Sequence, residues 1–336
     1  MENMTITVDT LGGDNGVAPM VKGVCDALKL YKDINIIMVG NKEDIEKNLN
    51  NYDYDKDKIK IVESGSVITC HDAPVDGIRR KKDSSLVMAL NTVKNGESKC
   101  CISAGNSGAI LAGGQFIVGR AKGVKRTPLA PLIPTKKSDA LLVDCGANVD
   151  CKPEYLLQFA KMGSVYMESI VGVKNPRVAI INIGAEDEKG NELVKETIPL
   201  LRECKDINFI GSIEARDIPE GKADVLVCDA FVGNCILKFF EGVGSMFLGE
   251  VKGALMTSFK TKIGALFIKK TLKNRFKRFM ANDKGGAPLL GLKGLVVKIH
   301  GNSKDTEVRT AIEQCRNYLI KDVNNKIVAA FENGEV

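Results

Sequence analysis

The sequence predicts an α/β fold, a mostly parallel sheet covered by helices on both faces, with a protruding helical segment. Three observations predict it. Short apolar runs alternate with stretches of helical spacing along the chain. Most of those runs are continuously apolar, as strands buried on both faces must be. The runs also tend to end in Gly-rich turns, the usual exit from a parallel strand into a ligand-binding loop. Hydrophobic residues make up 44% and aromatics 5%, with no Trp, so the core is aliphatic.

In chain order, TITVDT (5–10) reads as a buried strand, LGGDNG breaks it, and APMVKGVCDALKLY (18–31) has helical spacing. INIIMVG (34–40) is a strand, NKEDIEKNL a helix, and IKIVES (59–64) a third strand. LVMALNTVKNG (86–96) is a helix closed by Asn-Gly. KCCISAG (99–105) and ALLVDCGAN (140–148) are strands running into Gly turns. PEYLLQFAKMGSVYMESIVG (153–172) is a helix with Pro in its first turn. RVAIINIG (177–184), INFIGS (207–212) and ADVLVCDAF (223–231) complete the strands. No linker interrupts the pattern, so residues 1–336 read as one α/β unit, with two subdomains as the variant, and 245–283 as a helical excursion within it.

Ten Cys at irregular spacing, without CxxC, and only two His exclude the usual zinc patterns and fit buried thiols in a reducing compartment. The N-terminus carries acids and Gly without an apolar h-region, so no signal peptide is expected. Residues 249–284 hold ten Lys/Arg and two acids, a net of +8 against +6 for the whole chain. The remainder is slightly acidic, so the basicity belongs to one segment.

The chemistry is expected at strand ends. VDTLGGDNG (8–16), ISAGNSGA (102–109), VDCGAN (143–148), NIGAEDEKGNE (182–192), CDAFVGN (228–234) and IHGNS (299–303) are all Gly-rich, and most offer Asn, Asp or Ser. Gly lets backbone approach a ligand, and successive N–H groups cradle an anion. The expected ligand is phosphate or another compact oxyanion. The P-loop GxxxxGK[ST] and the dinucleotide fingerprint do not occur, and GNSGA falls one Gly short of a nucleophile elbow. His71 sits in a turn-like CHDAP, and His300 at a strand end is either a satisfied histidine or a site residue. An oxyanion site without a protein nucleophile suits a reaction in which phosphate itself attacks. A thioester is the fitting electrophile, because its thiol leaves with little acid help. The protein must then hold phosphate near the carbonyl and offer donors to the developing oxyanion.

The blocks VDTLGGD, SAGNSGA, RTPLAP (126–131), LLVDCGAN, INIGAEDEKGNEL, GSIEARDIPEGKADVLVCDAFVGN and GGAPLLGLKGLVVKIHGNS span almost the whole chain. In order and content they resemble the bacterial phosphate acyltransferase family PlsX. The resemblance implies a fold similar to the isocitrate/isopropylmalate dehydrogenases and phosphotransacetylases, and a homodimer. It implies transfer of a fatty acyl group from acyl carrier protein to inorganic phosphate, without cofactor or metal. The acyl phosphate would feed a membrane acyltransferase acting on glycerol 3-phosphate, placing the protein in the cytoplasm at the inner face of the cell membrane. Two positions depart from the family: Asn15 stands where His is usual, and Val232 where Thr is common.

On this basis Asn106, Ser107, Lys189, Asn234 and His300 are the candidate catalytic residues. Ser103, Asn106 and Ser107 would contact phosphate or the acyl carbonyl, with Gly105 in the same loop. Asp144 and Asn148 would order a neighbouring loop. Lys189 and Asn191 would bring a positive charge and an amide, unless Lys189 is simply a solvated loop lysine. Gly233 and Asn234 would add donors, and His300, Gly301, Asn302 and Ser303 would close the site. Asp9, Gly12, Gly13 and Asp14 form the first loop, where the acids either orient it or cap the next helix.

In the basic segment Phe247, Val251, Leu255, Phe259, Ile263 and Phe267 recur at i+4, drifting to Leu272, Phe276 and Phe279. A continuous helix over 249–281 would be roughly 50 Å long, with Gly264 as a potential bend. Phe259, Ile263, Phe267 and Phe276 with Lys262, Lys269, Lys270 and Lys273 are expected to meet an anionic membrane surface. A dimer hairpin is the plainer reading, and a nucleic-acid arm fits worst. IGALFI (263–268), the longest apolar run there, is far short of the ~20 residues of a spanning helix. Two other classes stand against the enzyme: a non-catalytic membrane- or nucleic-acid-binding protein, and a dehydrogenase, for which neither a carboxylate cluster nor a nicotinamide site is evident.

Overall fold

The structure, a computed structural model, describes residues 4–277 and 285–332, without the side chains of 273–275 and 277. The strands are β1 (Met4–Asp9), β2 (Ile34–Gly40), β3 (Ile59–Glu63), β4 (Cys100–Ser103), β5 (Leu132–Pro134), β6 (Asp139–Val143), β7 (Arg177–Asn182), β8 (Asn208–Glu214), β9 (Val225–Val227), β10 (Ala287–Leu289) and β11 (Leu295–Lys298). The helices are α1 (Val17–Leu30), α2 (Lys42–Leu49), α3 (Pro74–Arg80), α4 (Ser85–Lys94), α5 (Ser107–Gly113), α6 (Pro153–Tyr166), α7 (Glu192–Glu203), α8 (Ala230–Met256), α9 (Phe259–Lys277), α10 (Asp305–Ile320) and α11 (Val323–Glu332). Helices α5 and α6 each run on into a π turn, Gly114–Val118 and Met167–Val171.

The apolar runs form two sheets. The first has the order β10-β11-β4-β1-β2-β3, the second β5-β6-β9-β7-β8. Each is parallel except for one edge strand: β10 runs antiparallel to β11, and β5 to β6. Alternation along the strands explains the runs. In β2, Ile34, Ile36 and Met38 enter the largest core, while Ile37 and Val39 enter a second core with α4 and α5. In β6, Leu141 and Val143 join the largest core, while Ala140 and Leu142 face a third that α8 covers with Val232, Ile236 and Leu237. A strand buried on both faces reads as a near-continuous apolar run, here interrupted by buried Thr7 and Asp9 in β1 and Ser103 in β4. The largest core is common to both sheets and holds residues of α1, α6 and α10. Each fully buried Leu, Ile or Val there contributes about 1.5–3 kcal/mol of transfer free energy.

Asn and Ser set several helix starts. The side chains of Asn41, Asn106 and Asn191 accept from Asp44, Ala109 and Val194 N–H at 2.9, 3.1 and 3.0 Å, and Asp229 does the same for Val232 at 2.8 Å. Six of the ten thiols are buried and all ten are unpaired.

The excursion differs from its sequence reading. Helix α8 begins at Ala230, inside the FVGN motif, and the break falls at Thr257–Ser258. The Ser258 hydroxyl there accepts from Thr261 N–H at 3.2 Å and starts α9. Gly264 lies within α9, and residues 278–281 of the expected helix lie outside the described residues. Almost none of α8 is buried, and it alone among the described helices is long and apolar enough to cross a membrane. Phe239, Phe247, Phe259 and Phe267 are 75%, 62%, 78% and 82% exposed. Lys262, Ile263, Lys269 and Lys270 are also exposed, Phe276 is partly covered, and the side chain of Lys273 lies outside the described residues. Apolar and basic side chains are poorly separated around α9, because Leu266 and Ile268 leave the i+4 stripe.

Candidate active site

The C-terminal ends of β1, β4 and β11 come together. Asp14 N–H donates to Gly301 O at 2.7 Å. A Cβ on Gly12 would stand 2.6 Å from the Gly105 backbone, so only Gly lets these loops touch. Asn15 Nδ2 donates to Asn302 O at 2.8 Å and Ser303 O at 3.1 Å, which ties the first loop to the last. Asn15 is thus a clamp.

Beneath the loops lies a buried support. Ser103 Oγ donates to Asp9 Oδ2 at 2.6 Å and accepts from Gly105 N–H at 3.1 Å. Burial pushes the Asp9 carboxyl up, against the hydrogen bonds from Ser103 and the loop backbone. Ser103 and Asp9 are therefore engaged with the protein, and they brace the loop. Asn106 caps α5, and its Nδ2 donates to Thr69 O at 3.0 Å, which holds the 69–72 segment over the site. The next residue, Ser107, is exposed, and its hydroxyl has no partner among the described residues. It shares the helix start with N–H groups that have no intrahelical acceptor.

The second sheet has its own support. The Asp144 carboxylate accepts from Leu129, Cys145, Ala147 and Asn148 N–H and from Asn148 Nδ2, at 2.5–3.2 Å. It is fully buried, and burial pushes it up to about 6 despite those donors. Asn148 also donates to Thr127 O at 3.0 Å and accepts from Ala230 N–H at 2.9 Å through its carbonyl. A Cβ on Gly233 would fall 1.9 Å from Asp144 O, so α8 leaves the core by passing directly over the β6 loop.

Two adjoining cavities open between these supports. One, about 480 Å³, is lined by Gly12, Gly13, Asp14, Gly105, Asn106, Ser107 and Gly301 with Thr69 and Cys70 of the facing segment. The other, about 320 Å³, is walled by Leu111, Leu129, Leu132, Ile133, Leu237 and Phe240, and is largely apolar. Ser107 and Lys298 border both. Asn234 and His300 line the apolar cavity, with Lys238 and Glu241. Lys238 Nζ donates to Glu241 Oε2 at 2.8 Å. His300 Nε2 stands 3.7 Å from Glu241 Oε1, beyond hydrogen-bond range. Burial, followed by Lys298, lowers the His300 imidazole below its ordinary 6.5. Among the described residues no group of three His, Cys, Asp or Glu is gathered as a metal site.

So Ser107, Asn234 and His300, read from three separate motifs, reach one cavity, and the Gly loops reach its neighbour. Asn302 is exposed and Ser303 buried behind the loop they form with Gly301. Lys189 and Asn191 line neither cavity. Lys189 is 51% exposed and pairs with Glu186 at 2.9 Å, and Asn191 caps α7. Lys298, Lys238 and Glu241 were not anticipated. Their signals exist: Lys298 interrupts the apolar run LVVKI, and Asn234, Lys238 and Glu241 are spaced i, i+4, i+7 on one helix face.

Residues 4–326 match the family model described as "Fatty acid synthesis protein". The chain is 47% identical over 329 residues to a phosphate acyltransferase of Clostridium novyi (strain NT), covering 98% of this chain and 99% of the relative. It is 46% identical over 334 residues to a phosphate acyltransferase of Clostridium botulinum (strain Langeland), with the same coverage. Among solved structures, a phosphotransacetylase from Streptococcus pyogenes aligns with a TM-score of 0.60 at 16% identity, over 95% of this chain and 94% of that one. EutD phosphotransacetylase from Staphylococcus aureus aligns with a TM-score of 0.57 at 15% identity, over 94% of each chain. At such identities the structural likeness bears on fold alone.

Proposed function

The chain belongs to the phosphate acyltransferase family, enzymes that transfer an acyl group to phosphate, and from that premise we propose that its donor is a fatty acyl thioester of acyl carrier protein. The observation that carries this reading is the pair of adjoining cavities, one Gly-lined and the more polar, the other largely apolar, with Ser107 and Lys298 at their border. A compact oxyanion suits the first and a hydrocarbon chain the second. The thioester carbonyl then lies at the border, within reach of both. A phosphate oxygen attacks the carbonyl carbon, the new C–O bond forms, and the C–S bond breaks. The proton of hydrogen phosphate ends on the departing sulfur, so the products are acyl phosphate and free carrier thiol. Most of the catalysis is positioning and donors for the oxyanion. The Ser107 hydroxyl and the start of α5 are the donors in this reading, with Asn234 and His300 facing the carbonyl from the other wall.

Acyl phosphate is a precursor for phospholipid synthesis, consumed by a membrane acyltransferase acting on glycerol 3-phosphate. The exposed Phe and Lys residues of α8 and α9 support peripheral association with an anionic membrane, on the cytoplasmic face. They also leave surface for a homodimer. The test is acyl–acyl carrier protein with and without inorganic phosphate, the product trapped by hydroxylamine. Phosphate-dependent hydroxamate is expected; its absence from folded protein across several chain lengths would sink the reading.

A further inference from the structure

Lys298 is the last residue of β11 and pairs in register with Ser103 of β4. It borders both cavities. An ammonium has three donors. One goes to the adjacent Ile299 O at 3.2 Å, and no carboxylate lies within ion-pair distance of it among the described residues. The charged groups around it are Lys238 and Glu241 of α8, Asp14 of the β1 loop, and His300 on its own strand end. Lys238 takes one oxygen of Glu241, and neither the second oxygen of Glu241 nor the Asp14 carboxylate is within ion-pair distance of Lys298. Burial, reinforced by Lys238, holds the Lys298 ammonium below the ordinary lysine range. A partly buried cation with no counter-charge in contact is costly, and such a group in a cleft marks a place where a ligand supplies the contacting charge. A lysine kept only for the packing of its stem would direct its head group to open solvent.

We propose that Lys298 is the cation that grips the phosphate nucleophile, at the point where the polar cavity meets the apolar one. This rests on the acyl-transfer reading above and adds a residue to it. Held there, phosphate donates one oxygen to the carbonyl carbon while Lys298 stays protonated. Charge builds on the carbonyl oxygen as the C–O bond forms and passes to sulfur as the C–S bond breaks. The proton of hydrogen phosphate then neutralises the sulfur, so the acyl phosphate keeps the charge that Lys298 holds. Lys298 is thus a phosphate-binding group, and neither base nor nucleophile.

The experiment compares full-length wild type with Lys298→Met and Lys298→Arg. In Lys298→Met the KM for phosphate should rise about 10- to 100-fold, the value of a hydrogen bond to a charged group, while the KM for the acyl donor changes little. Lys298→Arg should recover part of the loss. A second measurement needs no variant: brief labelling of wild type with an amine-reactive acylating reagent, read by mass spectrometry. Inorganic phosphate should protect Lys298 and leave Lys238 labelled as before. Unchanged phosphate saturation in Lys298→Met, with wild type active, overturns this assignment and leaves acyl transfer standing. If wild type forms no acyl phosphate, or if the Met variant does not fold, the labelling decides, and equal labelling of Lys298 with and without phosphate overturns it.

Discussion

The two ends of α8 obey different rules. At its start the helix is locked to the protein: Asp229 caps it, Gly233 passes 1.9 Å (to an added Cβ) from the Asp144 carbonyl, and Asn234, Leu237, Lys238 and Glu241 form a cavity wall. Towards its end Gly244, Gly249 and Gly253 have open space where a side chain would be, and Met246 and Phe247 are exposed. The first part builds a site from close approach. The last part meets α9 and leaves Met246 and Phe247 facing solvent. The lesson is that one continuous helix obeys two packing rules: its first turns are fixed by close backbone approach, and its last turns are free of that constraint.

That comparison can be broken most forcefully at Gly233. Gly233→Val forces the β6 loop and α8 apart and should cost about 3 kcal/mol or more of unfolding free energy, measured by denaturant titration. A wild-type midpoint would mean that the helix start is not locked.

Asp144 tests the same lock through pH. Its folded value of about 6 lies above the ordinary 3.8. Between those values the folded chain retains a proton that the unfolded chain has lost. Stability contributed by this group is therefore greatest below about pH 4 and declines as pH rises to about 6, by on the order of 3 kcal/mol. Asp144→Asn should flatten that part of the stability profile; an unaltered profile would show that another group sets it.

The exposed end is sharpened by charge. Reversing Lys262, Lys269 and Lys270 to Glu should weaken binding to anionic vesicles by about 1 kcal/mol per position, while turnover with a soluble donor persists. Lost turnover with vesicle binding intact would assign the segment to the carrier protein or the site. The smallest effect is expected at Gly244→Ala, where the added methyl meets nothing and a helix interior favours Ala by about 1 kcal/mol.

Much of this was legible in the sequence for a physical reason. Strands buried on both faces must be largely apolar, so β1, β2, β4, β6, β7 and β9 announced themselves, and the Gly loops at their ends followed. Division into two sheets was not legible. The short antiparallel edges β5 and β10 each contain a Pro and carry no periodicity to read. Asp144 and Asn148 read as loop-ordering residues, whereas Ser103 looked like a ligand group, because a buried support and a binding loop use the same residue types. Only their hydrogen-bond partners separate the two. Lys189 shows the converse, since a cation in a Gly-rich loop need not reach the cavity.

The central claim is that an acyl chain occupies the apolar cavity beside the phosphate loops. Leu111 lies one turn beyond Ser107 on the same face and lines only the apolar cavity. The most direct measurement is kcat/KM for a series of acyl chain lengths with wild type and Leu111→Trp. A filled cavity should penalise long chains at least about tenfold more than short ones, since each buried CH2 is worth about 0.8 kcal/mol. An equal loss at every length, or none, would contradict the account.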